Sequence, residues 1–124
     1  MILGIGTDLA EISRIRRVGL RRLAERILSK EELAWLPDSN QRRGEWLAGR
    51  FAAKEAVAKA TGTGIGGQLS FREIEIFNDV KGKPWVRMAP EVLKGFGWEQ
   101  DVTIHLSITH SEEHALAFVV VEGG

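Results

Sequence analysis

The sequence predicts a mixed α/β fold of the α+β kind, and three observations carry that reading. Val102, Ile104, Leu106 and Ile108 alternate with Thr103, His105, Ser107 and Thr109, the two-residue period of a strand with one face in a core. Residues 42–60 read as a long helix, with Leu47, Phe51 and Ala58 on one stripe and Gly62 behind them as a stop. The opening, MILGIGTDLAEI, is apolar and broken by Gly4 and Gly6, which gives a short strand that delivers Asp8 at or near its end.

The other elements follow in order. From about Arg16 to Leu36, Leu20, Leu23, Ile27 and Leu28 recur at helical spacing, and Ser29 with Glu32 has the form of a capping box. That segment therefore divides into two helices, and Pro37 closes it. Beyond the long helix, GTGIGGQ is a glycine-rich connection, and LSFREIEIF reads as a strand with Glu73 and Glu75 alternating against Ile74 and Ile76. NDVKGKP turns the chain into a returning strand, WVRM. PEVLKGFG makes a short helix with Pro90 in its first turn. DVTIHLSITHSEEHALAFVVVE forms two strands joined by a tight polar connection.

At 124 residues the chain has room for one domain, 1–124. A composition of 44% hydrophobic and 27% charged residues is that of a globular protein, so disorder is not expected. The absence of cysteine excludes a disulfide scaffold, a thiolate metal site and a cysteine nucleophile together. No apolar run approaches a membrane span, and Met1 leads into strand-like sequence rather than a signal peptide, so a cytoplasmic protein is expected. Zero formal net charge gives no general attraction to nucleic acid. The charge is uneven, however. Arg14, Arg16, Arg17, Arg21, Arg22 and Arg26 crowd one segment relieved only by Glu25, which is either a solvated helix face or a docking patch for an acidic partner.

Three polar clusters lie far apart in the chain: Asp8, Glu55 with Lys59, and His105 with Ser107. Glu55 and Lys59 are spaced i,i+4 and share a helix face among alanines small enough to let a ligand or another backbone come close. As an isolated surface pair they would contribute only a few tenths of a kcal/mol. TGTGIG has neither the spacing of a Walker A loop nor that of a dinucleotide turn, and it follows a helix instead of preceding one. Taken jointly, two carboxylates, two lysines, a histidine and a glycine loop suggest a hard cation with phosphate chemistry. Magnesium suits that set, whereas zinc wants more histidine or cysteine. His105, His110 and His114 do not make a zinc triad, because His110 falls on the other face of the strand from His105.

GIGTDLAEISRI, FAAKEAVAKATGTGIG and LSITHS, with NDVKGKPWV between the second and third, resemble the signature segments of the holo-acyl-carrier-protein synthases, the short stand-alone 4′-phosphopantetheinyl transferases. The resemblance runs from Ile2 to about Glu122. Leu9, Trp46 and the GFGWEQD run depart from the pattern without touching its matched polar positions. It implies a small antiparallel sheet around a long helix and a homotrimer with sites at subunit interfaces. The implied activity is transfer of 4′-phosphopantetheine from coenzyme A to a serine of apo-acyl carrier protein, with adenosine 3′,5′-bisphosphate released, in support of fatty acid biosynthesis.

Carried over position by position, the resemblance makes Asp8 and Glu55 ligands of magnesium held against the coenzyme A pyrophosphate. It makes Lys59 a binder of phosphate oxygens and sets His105 beside the site. Gly62, Thr63, Gly64, Ser107 and Thr109 would lie along the coenzyme. Arg14 matches a position that meets the carrier protein, and Arg21 belongs to the same basic patch. Glu55, a water on the metal and His105 are all able to accept the serine proton. Two rival readings are a coenzyme A-binding module without activity and a metal-dependent hydrolase that uses water as acceptor.

Overall fold

The structure, a computed structural model, describes residues 1–98 and 101–124, so residues 99 and 100 of the GFGWEQD run lie outside it. Strand β1 (Ile2–Glu11) leads into three short helices, α1 (Ile12–Val18), α2 (Leu20–Ile27) and α3 (Lys30–Leu33). The long helix α4 (Asn40–Thr61) follows, then β2 (Glu75–Asn78), β3 (Pro84–Arg87), the short helix α5 (Pro90–Gly95), β4 (Val102–His110) and β5 (His114–Gly123). β1, β5 and β4 form an antiparallel three-stranded sheet in that order, and β2 and β3 form a separate antiparallel ribbon. The sheet packs around α4, and β1 is one of its edges.

Small side chains allow the packing. Ala117, Val119 and Val121 of β5 point inward against Ala52, Ala53, Ala56 and Val57 of α4, all fully buried. At two points of β1 even a methyl group would not fit. A Cβ on Gly6 would stand 1.8 Å from the carbonyl oxygen of Ala56, and one on Gly4 would stand 2.1 Å from that of Ala60. Backbone therefore lies on backbone, and β1 runs back along α4 toward its N-terminus. Asp8 comes next on the same face of the strand, so this contact delivers the carboxylate to the helix.

Four sequence expectations are corrected. α4 is buried nearly all round rather than along one stripe, because Leu47, Ala48, Ala52, Ala53, Ala56, Val57 and Ala58 together leave its middle little exposed face. The arginine-rich segment forms three helices instead of two, with an extra break at Gly19, whose φ of 103° favours glycine. The Ser29–Glu32 capping box is present as read. LSFREIEIF is strand only from Glu75. Glu73 accepts from the Ser70 N–H at 2.9 Å and caps a 3₁₀ turn over Phe71–Glu73, so a local polar cap overrides the alternation. Finally, β1 is longer than read, and Asp8 lies within it.

Candidate active site

The glycine contact between β1 and α4 brings two of the three polar clusters together. Lys59 Nζ donates to Asp8 Oδ1 at 3.0 Å and to the Thr7 carbonyl at 3.0 Å. Glu55 and Asp8 line one cleft of about 430 Å³. Partial burial, then the nearby Asp8 carboxylate, push Glu55 above the usual carboxylate range, and Lys59 offsets part of the rise. Two neighbouring carboxylates, beside one lysine that is half exposed, form a site able to take a cation and an anion together.

The cleft has a second wall. Arg14 and Ile15 of α1 with Leu23 and Arg26 of α2 face the carboxylates across it, and Phe51 of α4 forms part of its floor. Arg14 and Arg26 among apolar lining on that wall suit an acidic, amphipathic partner, with Glu11 the acid beside them. The basic segment is not one patch, however. Arg16 donates to the carbonyls of Asn40 and Gln41 at the start of α4, and Arg21 pairs with Glu25 at 3.3 Å beside a different groove. Arg14 stands at the site; Arg21 does not share its cleft.

The third cluster stands apart on this chain. His105, Ser107 and Thr109 project from the outer face of the sheet, opposite the face that carries Asp8. His105 Nε2 lies 3.0 Å from Glu122 Oε1, and Ser107 is paired in register with Phe118. Gly62 and Gly64 hold positive φ, 84° and 72°, in the loop that follows Lys59, and Thr63 Oγ1 lies 2.9 Å from Thr61 Oγ1. Gly62 is the left-handed cap of α4.

Sequence reasoning missed two buried cations of α4. Lys54 is fully buried beside Glu32. Arg50, 5% exposed, donates to Asn78 Oδ1 at 2.5 Å, lies 4.6 Å from the Trp46 ring centre and leaves its Nε without a partner among the described residues. Burial lowers its pKa to about 10, and it borders a cavity of about 260 Å³ that Arg42, Glu45 and His110 also line. The available signal was the alanine distribution. Small side chains on most sides of the helix let other elements cover it, so a charge in that run is not assured of a solvent face.

Comparisons with known proteins identify the family. Residues 4–119 match the model of the 4′-phosphopantetheinyl transferase superfamily. The chain belongs to that family. It is 48% identical to the holo-[acyl-carrier-protein] synthase of Bacillus subtilis over 125 aligned residues, 98% of this chain and 97% of that protein. Among solved structures, the holo-(acyl-carrier-protein) synthase of Bacillus anthracis in complex with CoA (3′,5′-ADP) superposes with a TM-score of 0.86 at 43% identity, covering 100% of this chain and 99% of that one. The Helicobacter pylori synthase in complex with coenzyme A gives 0.80 at 34%, over 95% and 99%. The fold is that of this transferase family, and the chain is an enzyme of it.

Proposed function

We propose that this enzyme, one transferase domain over 1–124, moves the 4′-phosphopantetheine group of coenzyme A onto a serine of an apo-acyl carrier protein and requires magnesium. The observation that carries the reading is the meeting of Asp8, Glu55 and Lys59 at an arginine-walled cleft. The donor set fits the metal. Two adjacent carboxylates are hard oxygen donors whose mutual repulsion a divalent cation relieves, and magnesium takes its other ligands from water and phosphate. Among the described residues no group of three or more histidine, cysteine or acidic side chains converges as a zinc site would need. Asp8 and Glu55 would hold the ion, which when bound neutralises charge on the diphosphate.

In the transfer, the serine oxygen bonds to the phosphorus that carries the pantetheine arm. The bond from that phosphorus to the bridging oxygen breaks, its electron pair leaves with adenosine 3′,5′-bisphosphate, and the serine proton passes to an acceptor at the site, for which Glu55, His105 and a water are the candidates. Lys59 donates to phosphate oxygens as charge moves onto the leaving group, and Asp8 holds its ammonium in place for this. The wall of α1 and α2 orients the carrier protein through Arg14, so that little beyond positioning and charge is asked of the protein.

His105, Ser107 and Thr109 act in this reading from a neighbouring copy in a homotrimer. Ile5, Leu9, Leu116 and Phe118 expose large apolar side chains on the same outer face, 40–62% accessible, which favours a covering subunit. Leu9 also lines the Asp8–Glu55 cleft, so a copy seated on that face reaches the site. Among the described residues no helix is long and apolar enough to cross a membrane. We place the enzyme in the cytoplasm, supplying holo-carrier protein to fatty acid synthesis.

Mass spectrometry of apo-carrier protein incubated with the enzyme, coenzyme A and magnesium tests this. The carrier should gain the phosphopantetheine mass on one serine. Cleavage of coenzyme A without carrier protein, or no mass gain, would refute transfer.

A further inference from the structure

The buried Lys54–Glu32 pair takes no part in the chemistry above, yet among the described residues it is the most heavily bonded polar pair in the interior. Lys54 Nζ donates to Glu32 Oε1 at 2.6 Å, to the Ile27 carbonyl at 2.5 Å and to the Phe71 carbonyl at 3.1 Å, so all three of its protons are used. Glu32 accepts in turn from the Ser29 N–H at Oε1 and from the Ile76 N–H at Oε2, both at 2.9 Å. Five hydrogen bonds thus join α4 to the end of α2, the cap of α3, the 3₁₀ turn and β2.

Energetics alone do not account for such a pair. Removing two charges from water costs about as much as their attraction returns, and two apolar residues of like volume generally serve stability as well. What apolar residues cannot do is end a helix at a fixed place. Ile27 is the last residue of α2, and its carbonyl has no partner inside the helix. Lys54 supplies that partner from the position next to Glu55. Arg26, the neighbour of Ile27, and Leu23, one turn earlier, belong to the cleft wall that faces Glu55. One side chain therefore ties both walls of the cleft together.

We infer that Lys54, held by Glu32, is a positioning residue that fixes the α1–α2 wall at a set distance from Asp8 and Glu55, and so fits the cleft to the incoming carrier protein. The inference rests on the proposed function, since it names what the cleft receives. Lys54 touches neither substrate. Its loss should register in recognition of the protein acceptor and not in coenzyme A binding.

The test compares wild type with the double variant Lys54→Met/Glu32→Met, which removes both charges while keeping side-chain length, and with Glu32→Gln, which keeps volume and an acceptor oxygen. The Michaelis constant for apo-carrier protein should rise about tenfold or more in the double variant, as misplacement of a binding wall predicts, and by less in Glu32→Gln. Coenzyme A affinity, read by calorimetry with magnesium, should stay within about twofold. A merely structural role would lower the folded fraction and leave both constants of the folded enzyme alone. Unchanged carrier-protein recognition in a folded variant, or equal loss for both substrates, overturns the inference. If the double variant does not fold, Glu32→Gln decides by the same criteria. If wild type transfers nothing, the functional reading fails instead. Amide hydrogen exchange then decides: selective loosening of residues 12–27 against an unchanged α4 supports the tie, and uniform behaviour refutes it.

Discussion

Lys54 and Lys59 leave the same helix, and each meets one carboxylate at hydrogen-bonding distance, Glu32 at 2.6 Å and Asp8 at 3.0 Å. The first pair is fully buried, and every proton of its ammonium is taken. The second is open: Lys59 is 52% exposed, Asp8 is 17% exposed, and Glu55 stands beside them with a raised pKa. An ion pair whose donors are all committed inside the protein can hold neighbouring elements in place but has nothing left to bind a ligand. One with spare donors, a strained neighbour and a cleft in front of it can bind something. Spare capacity, more than the presence of charge, separates the site from the scaffold.

The largest effect expected from this contrast is on activity without stability. Asp8→Ala or Glu55→Ala should lower transfer by about a thousandfold or more, while the thermal midpoint moves by no more than about 2 °C. Substantial activity in either purified variant at limiting magnesium would dissolve the distinction. Lys54→Ala should act first on stability. Stranding Glu32 without its cation costs about 3–5 kcal/mol of stability by denaturant unfolding, and a loss below about 1 kcal/mol would show the pair to be idle.

How much of this could be read from the sequence depends on which interaction decided each feature. Local periodicity gave the hairpin of β4 and β5, the cap at Gly62 and the Ser29–Glu32 box, since all three are decided by neighbours in the chain. The two carboxylates and Lys59 were legible as chemistry and through the resemblance. Their convergence was not legible, because it depends on Gly4 and Gly6 lying against the backbone of α4, a contact between distant segments. Lys54 and Arg50 escaped for a related reason. A helix rich in alanine between charges looks like a surface helix until the sheet and α2 are known to cover it. The outer-face position of His105 follows from strand parity, but the face on which Asp8 lies does not.

Two smaller effects sharpen the contrast. Lys59→Ala should reduce transfer about a hundredfold, yet cost under about 1 kcal/mol of stability, because its pair is half in solvent. A stability loss as large as that of Lys54→Ala would place Lys59 with the scaffold. Reversing Arg14 to Glu should weaken carrier-protein binding about tenfold and coenzyme A binding little. Arg21→Glu, outside the cleft and already paired with Glu25, should do less. Equal losses of both ligands would make the arginines structural.

Calorimetric titration of magnesium into the enzyme saturated with coenzyme A, in wild type and in the single variants Asp8→Asn and Glu55→Gln, goes to the centre of the matter. Wild type should bind the ion, and each substitution alone should abolish that binding in a protein that still unfolds cooperatively. Undiminished binding in either variant would mean that the two acids do not share a metal.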